Sequence, residues 1–342
     1  MKVSFLVTYF NQEQYVKESI ESILAIEKNF DWEILIGDDG STDRTVSLVK
    51  DFINLYPDNI KLFIMPRDND ELYLSVKRAS ENRINLLENC SGDYFCILDG
   101  DDFYCDKLFV NEAIDVFFKN PDVSVVSFCF KFFRNGTFEK ENKLSRNGNK
   151  YIDKEKYLNN LYVHAGACVH KKTWGKERVD YIKNVGFFDD NDIVINDLNY
   201  GKMYFINRSI YAYRQTDNSI YNSMNEIEQS VLNSLGFDID KKFIDAQYHP
   251  FLANRYKSSF LFIYLRKNRI KNALGDKYNM YLNICRLMSD SITYNILSFY
   301  NLDKEKTLLT KKMVMDIVKK NPLSYLKLYI KYVVKCFLKY EK

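Results

Sequence analysis

Histidine is nearly absent from this chain of 342 residues. There are three, beside five prolines, twelve glycines and two tryptophans. So little glycine and proline excludes collagen-like and linker-rich organisation. The seven cysteines stand at positions 90, 96, 105, 129, 168, 285 and 336, none in a C-x-x-C pair. With so few histidines, a structural zinc framework is excluded too. An odd number of unpaired cysteines reads as reduced thiols and predicts a cytoplasmic protein. No stretch of ~18 uncharged apolar residues is present, so no membrane-spanning helix is expected. The apolar run in Met1–Thr8 is short for the core of a signal peptide, and a strand explains it better. Two N-x-S/T matches, at Asn135 and Asn207, carry little weight without a secretion signal. An excess of one charge is also missing: 49 basic against 46 acidic residues leave +3, and no nucleic-acid partner is expected.

What is present is the composition of a folded protein, 46% hydrophobic, 28% charged and 15% aromatic, dominated by 26 Tyr and 25 Phe. The length suits one large or two modest domains at ~100–200 residues each. Charge is uneven along the chain. From Asp303 to Lys342 there are 11 Lys against 4 Asp and Glu, which leaves −4 for the rest. A basic end of this kind suits an anionic surface.

Strand and helix patterns alternate over the first 130 residues. Val3–Thr8, Glu33–Gly37, Ile60–Met65, Tyr94–Leu98 and Val123–Phe128 are short apolar runs, as buried parallel strands are. Between them, Val16, Ile20, Ile23 and Leu24 lie on one helical face, as do Val46, Val49 and Ile53, and Val110, Ala113, Ile114 and Phe117. A polar helix is expected over about 72–88. Ser41 or Thr42 is placed to cap the second helix. This alternation predicts an α/β domain, a mostly parallel sheet flanked by helices. Residues 135–160 are polar and weakly patterned. Strands are expected near Lys202–Ile206 and Ile210–Tyr213. The division expected is 1–220 for the α/β domain and 221–342 for a helical C-terminal region.

Ligands of such sheets sit beyond the carboxyl ends of the strands. Two acidic clusters fall there: Asp38-Asp39 after the second strand and Asp99-Gly100-Asp101-Asp102 after the fourth. Clustered carboxylates repel one another unless a cation relieves them, and hard oxygen donors suit Mg²⁺ or Mn²⁺. A solvated acidic turn is the plainer reading of either cluster alone. Asp39 could accept from a base N–H or a ribose hydroxyl, and Thr8 and Asn11 add polar groups at the end of the first strand.

Taken in order, Thr8-x-x-Asn11, Glu33-Ile-Leu-Ile-Gly-Asp38-Asp39-Gly-Ser-Thr-Asp43, Gly92-Asp93-Tyr94 and Leu98-Asp99-Gly100-Asp101-Asp102 resemble family 2 glycosyltransferases over about residues 1–220. The resemblance implies the GT-A fold and inverting transfer of a hexose or N-acetylhexosamine. The donor implied is a nucleotide-diphosphate sugar, UDP being the commonest nucleotide. The acceptor implied is a hydroxyl of a bacterial surface polysaccharide, lipopolysaccharide or lipid-linked glycan. It places Thr8, Asn11, Asp38, Asp39, Arg83, Asp99 and Asp101 in the donor site, with Mn²⁺ or Mg²⁺ on Asp101 and Asp102. An acidic pair about eleven residues before a Gly implies Asp190, eleven before Gly201, as catalytic base, with Asp189, Asp192 and Asp197 as nearby alternatives. Tyr213-Arg214 matches a family Tyr-Arg, yet the His that often follows is replaced by Gln215–Ser219. His164 and Asp189 are acceptor-side candidates, though a lone histidine such as His164 is more often structural. A non-catalytic nucleotide-sugar or glycan binder on the same fold is the alternative.

At the C-terminal end, Lys327, Lys331, Lys335 and Lys339 recur every four residues, with Leu326, Tyr329, Ile330, Val333, Val334, Phe337 and Leu338 around them. Such a helix either lies on the inner face of the cell membrane or packs on protein, for example a second copy of the chain.

Overall fold

The computed structural model describes residues 1–67, 73–142, 148–159, 161–216, 220–288, 290–299, 304–320 and 326. The lysine-striped segment 327–342 and Pro322 lie outside the described residues, as do Asp217, Asn218 and Ser219. The chain divides into two compact units, Met1–Ile220 and Tyr221–Lys342.

The first unit is built on a ten-stranded sheet. Its strands are β1 (Lys2–Tyr9), β2 (Asp31–Asp38), β3 (Ile60–Ile64), β4 (Tyr94–Asp99), β5 (Phe103–Tyr104), β6 (Val123–Arg134), β7 (Thr137–Asn142), β8 (Lys150–Ile152), β9 (Cys168–Lys171) and β10 (Lys202–Arg214). The helices are α1 (Val16–Leu24), α2 (Thr45–Leu55), α3 (Ser75–Asn89), α4 (Phe109–Lys119), α5 (Lys154–Leu158), α6 (Lys176–Val185) and α7 (Asp190–Asp197). The path is β3-β2-β1-β4-β9-β6-β10-β5, with β7 on β6 and β8 on β10. β3, β2, β1 and β4 are parallel, and so are β6 and β10; β9 runs antiparallel between these two blocks.

The fully buried faces of β1, β2 and β4 explain their unbroken apolar runs. Val16, Ile20 and Ile23 of α1 and Val110, Ala113, Ile114 and Phe117 of α4 pack on the same core as Val3, Phe5, Val7, Ile34, Ile36, Cys96 and Leu98. Two local expectations are corrected. The two strands expected over 202–213 are one, β10, whose register against β6 shifts between Ile206 and Tyr211. Its polar break, Asn207-Arg208, is a bulge rather than a turn. Neither Ser41 nor Thr42 caps α2. The helix starts at Thr45, whose N–H is taken by Asp43 Oδ1 at 2.9 Å, while Ser41 faces Asp38. The polar stretch 135–160 holds β7, β8 and α5.

The second unit is helical, with principal helices Glu226–Phe243, His249–Leu265, Lys277–Arg286 and Lys304–Lys320. Its buried carboxylates are structural. Asp238 accepts from Ser291 Oγ and from the N–H groups of Ile292 and Thr293, so it holds the start of helix Ile292–Leu297. Among the described residues no helix is long and apolar enough to cross a membrane.

Candidate active site

The chain reverses direction across the sheet at β1, which lies between β2 and β4. At that switch point Thr8 has Gly37 on one side and Asp99 on the other. The crevice beyond these strand ends is where a ligand of an open α/β sheet binds, and three loops converge on it.

The first two loops are stitched together. Asn11 sits in the left-handed region, φ 49°. Its N–H donates to Ser41 Oγ at 2.8 Å, and its Oδ1 accepts from Thr42 N–H at 2.8 Å. Asp38 is buried, with Oδ2 accepting from Ser41 N–H and Oδ1 from Ser41 Oγ. Asp38 and Asn11 therefore shape the turn. Asp39 faces differently. It is held by Arg78, which brings Nε to 2.6 Å and Nη2 to 2.5 Å of one carboxylate oxygen, and by Arg67 at 3.6 Å from the other. Burial raises the Asp39 carboxyl above its ordinary range, against the pull of Arg78 and Arg67. Arg67 lies over the Phe10 ring at 4.1 Å, and Arg78 over Tyr73 at 4.9 Å. Phe10, Arg67 and Asp39 therefore form one chain of contacts beside the strand ends.

The third loop is the acidic turn. Gly100 is required there, because a Cβ would stand 2.2 Å from Tyr9 Cδ1. Asp102 is 1% exposed and each of its oxygens accepts one bond: Oδ2 from Tyr211 Oη at 2.6 Å and Oδ1 from Arg214 N–H at 2.7 Å. Arg214 also donates through Nε to the Asp101 carbonyl at 2.6 Å, pairs with Glu18, and lies over Tyr15, Phe103 and Phe133. The Tyr213-Arg214 end of β10 thus buttresses the acidic turn. Burial, then the charges of Asp101 and Asp99, push Asp102 well above the usual carboxylate range. Burial and Asp99 bring Asp101 up to about 6. Buried carboxylates crowded together in this way favour a bound cation.

The geometry differs in one respect from the Asp101–Asp102 pairing expected of the metal. The donor atoms that converge belong to Asp99, Asp102 and His164, all within 4.8 Å of one another. Two carboxylates and an imidazole fit Mn²⁺ or Mg²⁺ chemically, the imidazole favouring the former. His164 is 4% exposed, and its Nδ1 accepts from Gly166 N–H at 3.1 Å. It is held there by a buried pair the sequence did not single out. His170 engages Asp197 through Nδ1 at 2.6 Å and the Ala165 carbonyl through Nε2 at 3.0 Å. Asp197 therefore serves the turn that carries His164.

The acidic helix start is also sorted by the fold. Asp189 is the N-cap of α7, accepting from Asn191 and Asp192 N–H, and Asp192 returns the bond to Asp189 N–H. This capping box occupies both carboxylates. Asp190, at the first helical position, points elsewhere, to Arg83 Nη1 at 2.8 Å. Arg83 also holds Asp99, Nη2 to Oδ1, at 2.9 Å. Burial would weaken the Arg83 cation, but Asp190 and Asp99 raise its pKa further above normal.

Arg67, Arg78, Tyr211 and His170 were missed in the sequence, and Asp197 was named only as a neighbour of the proposed base, without its partner His170. Arg67 had a usable signal, since it follows the third strand on the rim that carries Asp39. Tyr211 alternates with Tyr213 on a strand ending at Arg214. Arg78 and the His–Asp pair are joined across about 40 and 27 residues and have no local signature.

Known proteins share the sequence pattern and the fold of this chain. The family model described as glycosyl transferase family 2 matches residues 4–177, just over half the chain. GgaA of Bacillus subtilis, a minor teichoic acid biosynthesis protein, is 25% identical over 225 residues, which are 62% of this chain and 47% of GgaA. Glycosyltransferase GlyA of Streptococcus pneumoniae is 26% identical over 229 residues, 62% of this chain and 30% of GlyA. The chain spans less than half the length of the curated relatives it matches. Among solved structures, residues 1–349 of S. aureus TarS, crystallised with UDP-GlcNAc, superpose with a TM-score of 0.58 at 16% identity, covering 92% of both chains.

Proposed function

The chain belongs to glycosyl transferase family 2, and from that membership we propose that it moves a hexose or N-acetylhexosamine from a nucleotide-diphosphate sugar, UDP first among the nucleotides, to a hydroxyl of a cell-surface glycan. The single observation that carries the reading is the meeting, at the switch point, of Asp99, Asp102 and His164 with Asp190 one guanidinium away. In this reading Thr8, Asp39 and the stacked Phe10 and Arg67 face the base and ribose, with Asn11 and Asp38 holding the turn.

Asp99 and Asp102, with His164 beside them, would hold a divalent cation, with Asp101 next to it. The cation would supply positive charge toward a leaving diphosphate. The protein's own part is positional. Tyr211 and Arg214 fix the orientation of Asp102, and Gly100 keeps the turn tight against Tyr9. Asp190 is the proposed base. As the acceptor oxygen bonds to the anomeric carbon, the bond from that carbon to the diphosphate oxygen breaks, the electron pair leaves with the diphosphate, and the acceptor proton passes to Asp190 Oδ. Attack opposite the leaving group inverts the centre. Asp189 is assigned to the helix cap rather than to the acceptor.

The acceptor class is supported by the surface-polymer relatives and the basic C-terminal segment, which suits the anionic inner leaflet where lipid-linked acceptors reside. The test is a thermal-shift screen of nucleotide sugars with and without Mn²⁺. A cognate donor raises the melting temperature by mass action, more so with the ion. Stabilisation by UDP-sugars that is equal in chelator and in Mn²⁺ removes the metal from the account, and none from any nucleotide sugar removes the donor site.

A further inference from the structure

Arg83 is the only described side chain that ties the acidic turn directly to the proposed base. It lies on α3 with its side chain 12% exposed, and it spends one terminal nitrogen on Asp99 and the other on Asp190. Its Nε is buried without a hydrogen-bond partner among the described residues. A buried guanidinium donor left unmet is costly, and a planar fork of donors matches phosphate oxygens better than it matches two separate carboxylates. Asp190 has the opposite problem. A carboxylate locked to a guanidinium is a poor acceptor for a hydroxyl proton. Its neighbours Asp189 and Asp192 hold the capping box.

The geometry points to a shared counter-ion. In the resting protein Arg83 neutralises Asp190. When the donor's diphosphate arrives beside Asp99, Arg83 brings its Nε and Nη2 edge, which faces Asp99, to the phosphate oxygens and draws Nη1 off Asp190, so that the base becomes available only after the donor is seated. The inference rests on the nucleotide-sugar reading above and adds to it a reason for donor-first order. Arg83 is then a positioning residue for Asp190 as well as a ligand of the donor.

The sign of one coupling decides the matter. Isothermal titration with UDP in the presence of Mn²⁺ is run on the wild type, Asp190→Asn, Arg83→Gln and the double variant. If Arg83 transfers, Asp190→Asn spares the cost of breaking the pair and also removes repulsion, whereas in the Arg83→Gln background it removes repulsion alone. UDP then binds about fivefold tighter in Asp190→Asn, and the gain is clearly smaller in the Arg83→Gln background, a coupling of the size usual for neighbours in one network. If Arg83 stays on Asp190, the carboxylate is screened in the wild type and bare in Arg83→Gln, so the larger gain appears in the Arg83→Gln background. That result, or equal gains, overturns the inference while leaving the donor site standing. Arg83→Lys keeps a cation in place should Arg83→Gln fold poorly, and Asp190→Asn is expected to give a gain there intermediate between the two. A wild type that binds neither UDP nor GDP overturns the donor reading, and the inference with it.

Discussion

Glu33→Gln is expected to destabilise the first unit in a pH-dependent way. Glu33 is a carboxylate 2% exposed at the amino end of the sheet. Burial alone would raise its pKa. Bonds from Lys2 Nζ at 2.8 Å, Ser4 Oγ at 2.6 Å, Ser91 N–H at 2.9 Å and Ser91 Oγ at 2.8 Å outweigh burial and bring it down to about 2. Against an ordinary value of 4.5 the shift is worth about 3 kcal/mol at pH 7. The folded pKa is depressed, so the contribution is present above pH 4.5 and drains away as pH falls toward 2. Linkage leaves most of it at pH 4 and less than half of it at pH 3. Glutamine keeps the shape and some acceptor capacity but sets an uncharged amide against Lys2. The assay is urea unfolding followed by tryptophan fluorescence, which reports this unit alone because both tryptophans, Trp32 and Trp174, belong to it. A loss of 2–3 kcal/mol at pH 7 that shrinks by half at pH 3 is expected. A deficit under about 0.5 kcal/mol at neutral pH, or one unchanged between pH 7 and pH 3, would show that the four donors do not act on a charged Glu33.

Other expectations concern the site. Gly100→Ala forces a methyl into the buried Tyr9 ring and should cost about 1–3 kcal/mol, read by thermal melting; an unchanged melt would mean that the turn relaxes freely. Tyr211→Phe removes the hydroxyl that orients Asp102 and should weaken Mn²⁺ binding, followed by the free-ion EPR signal, about ten- to a hundredfold; wild-type affinity would deny Asp102 a place in the ion site. Asp102→Asn should lower Mn²⁺ affinity at least as much, and Asp101→Asn much less; the reverse order would return the ion to Asp101. Asp190→Asn should bind the donor at least as tightly as the wild type and lose transfer by about 10²–10⁴-fold, and full activity would place the base elsewhere.

The residues that make one unbroken strand or one helical face were readable because hydrophobic period is a local property. Val3–Thr8, Glu33–Gly37 and Tyr94–Leu98 were visible as buried strands, and the rule that ligands gather at strand carboxyl ends singled out Thr8, Asp39 and Asp99 without any contact being known. Which acid does what was not readable, because it depends on partners far along the chain. Asp189, Asp190 and Asp192 differ by one or two positions in sequence. Only the helix start turns two of them into a capping box and aims the third at an arginine 107 residues away.

Alternation of strand and helix, with acidic turns after the second and fourth strands, was determined by the sequence itself, since it needs only the periodicities of side chains and the preferences of turns. The convergence of His164 with Asp99 and Asp102, the buttress of Tyr211 and Arg214, and the bridge of Arg83 belong to the tertiary structure. Insertion of β9 antiparallel between β4 and β6 adjoins the turn of His164 to β4 and β6, while β10 brings Tyr211 to the acidic turn. No local pattern encodes that crossover, because its cause is the joint burial of two sheet blocks rather than the sequence of either.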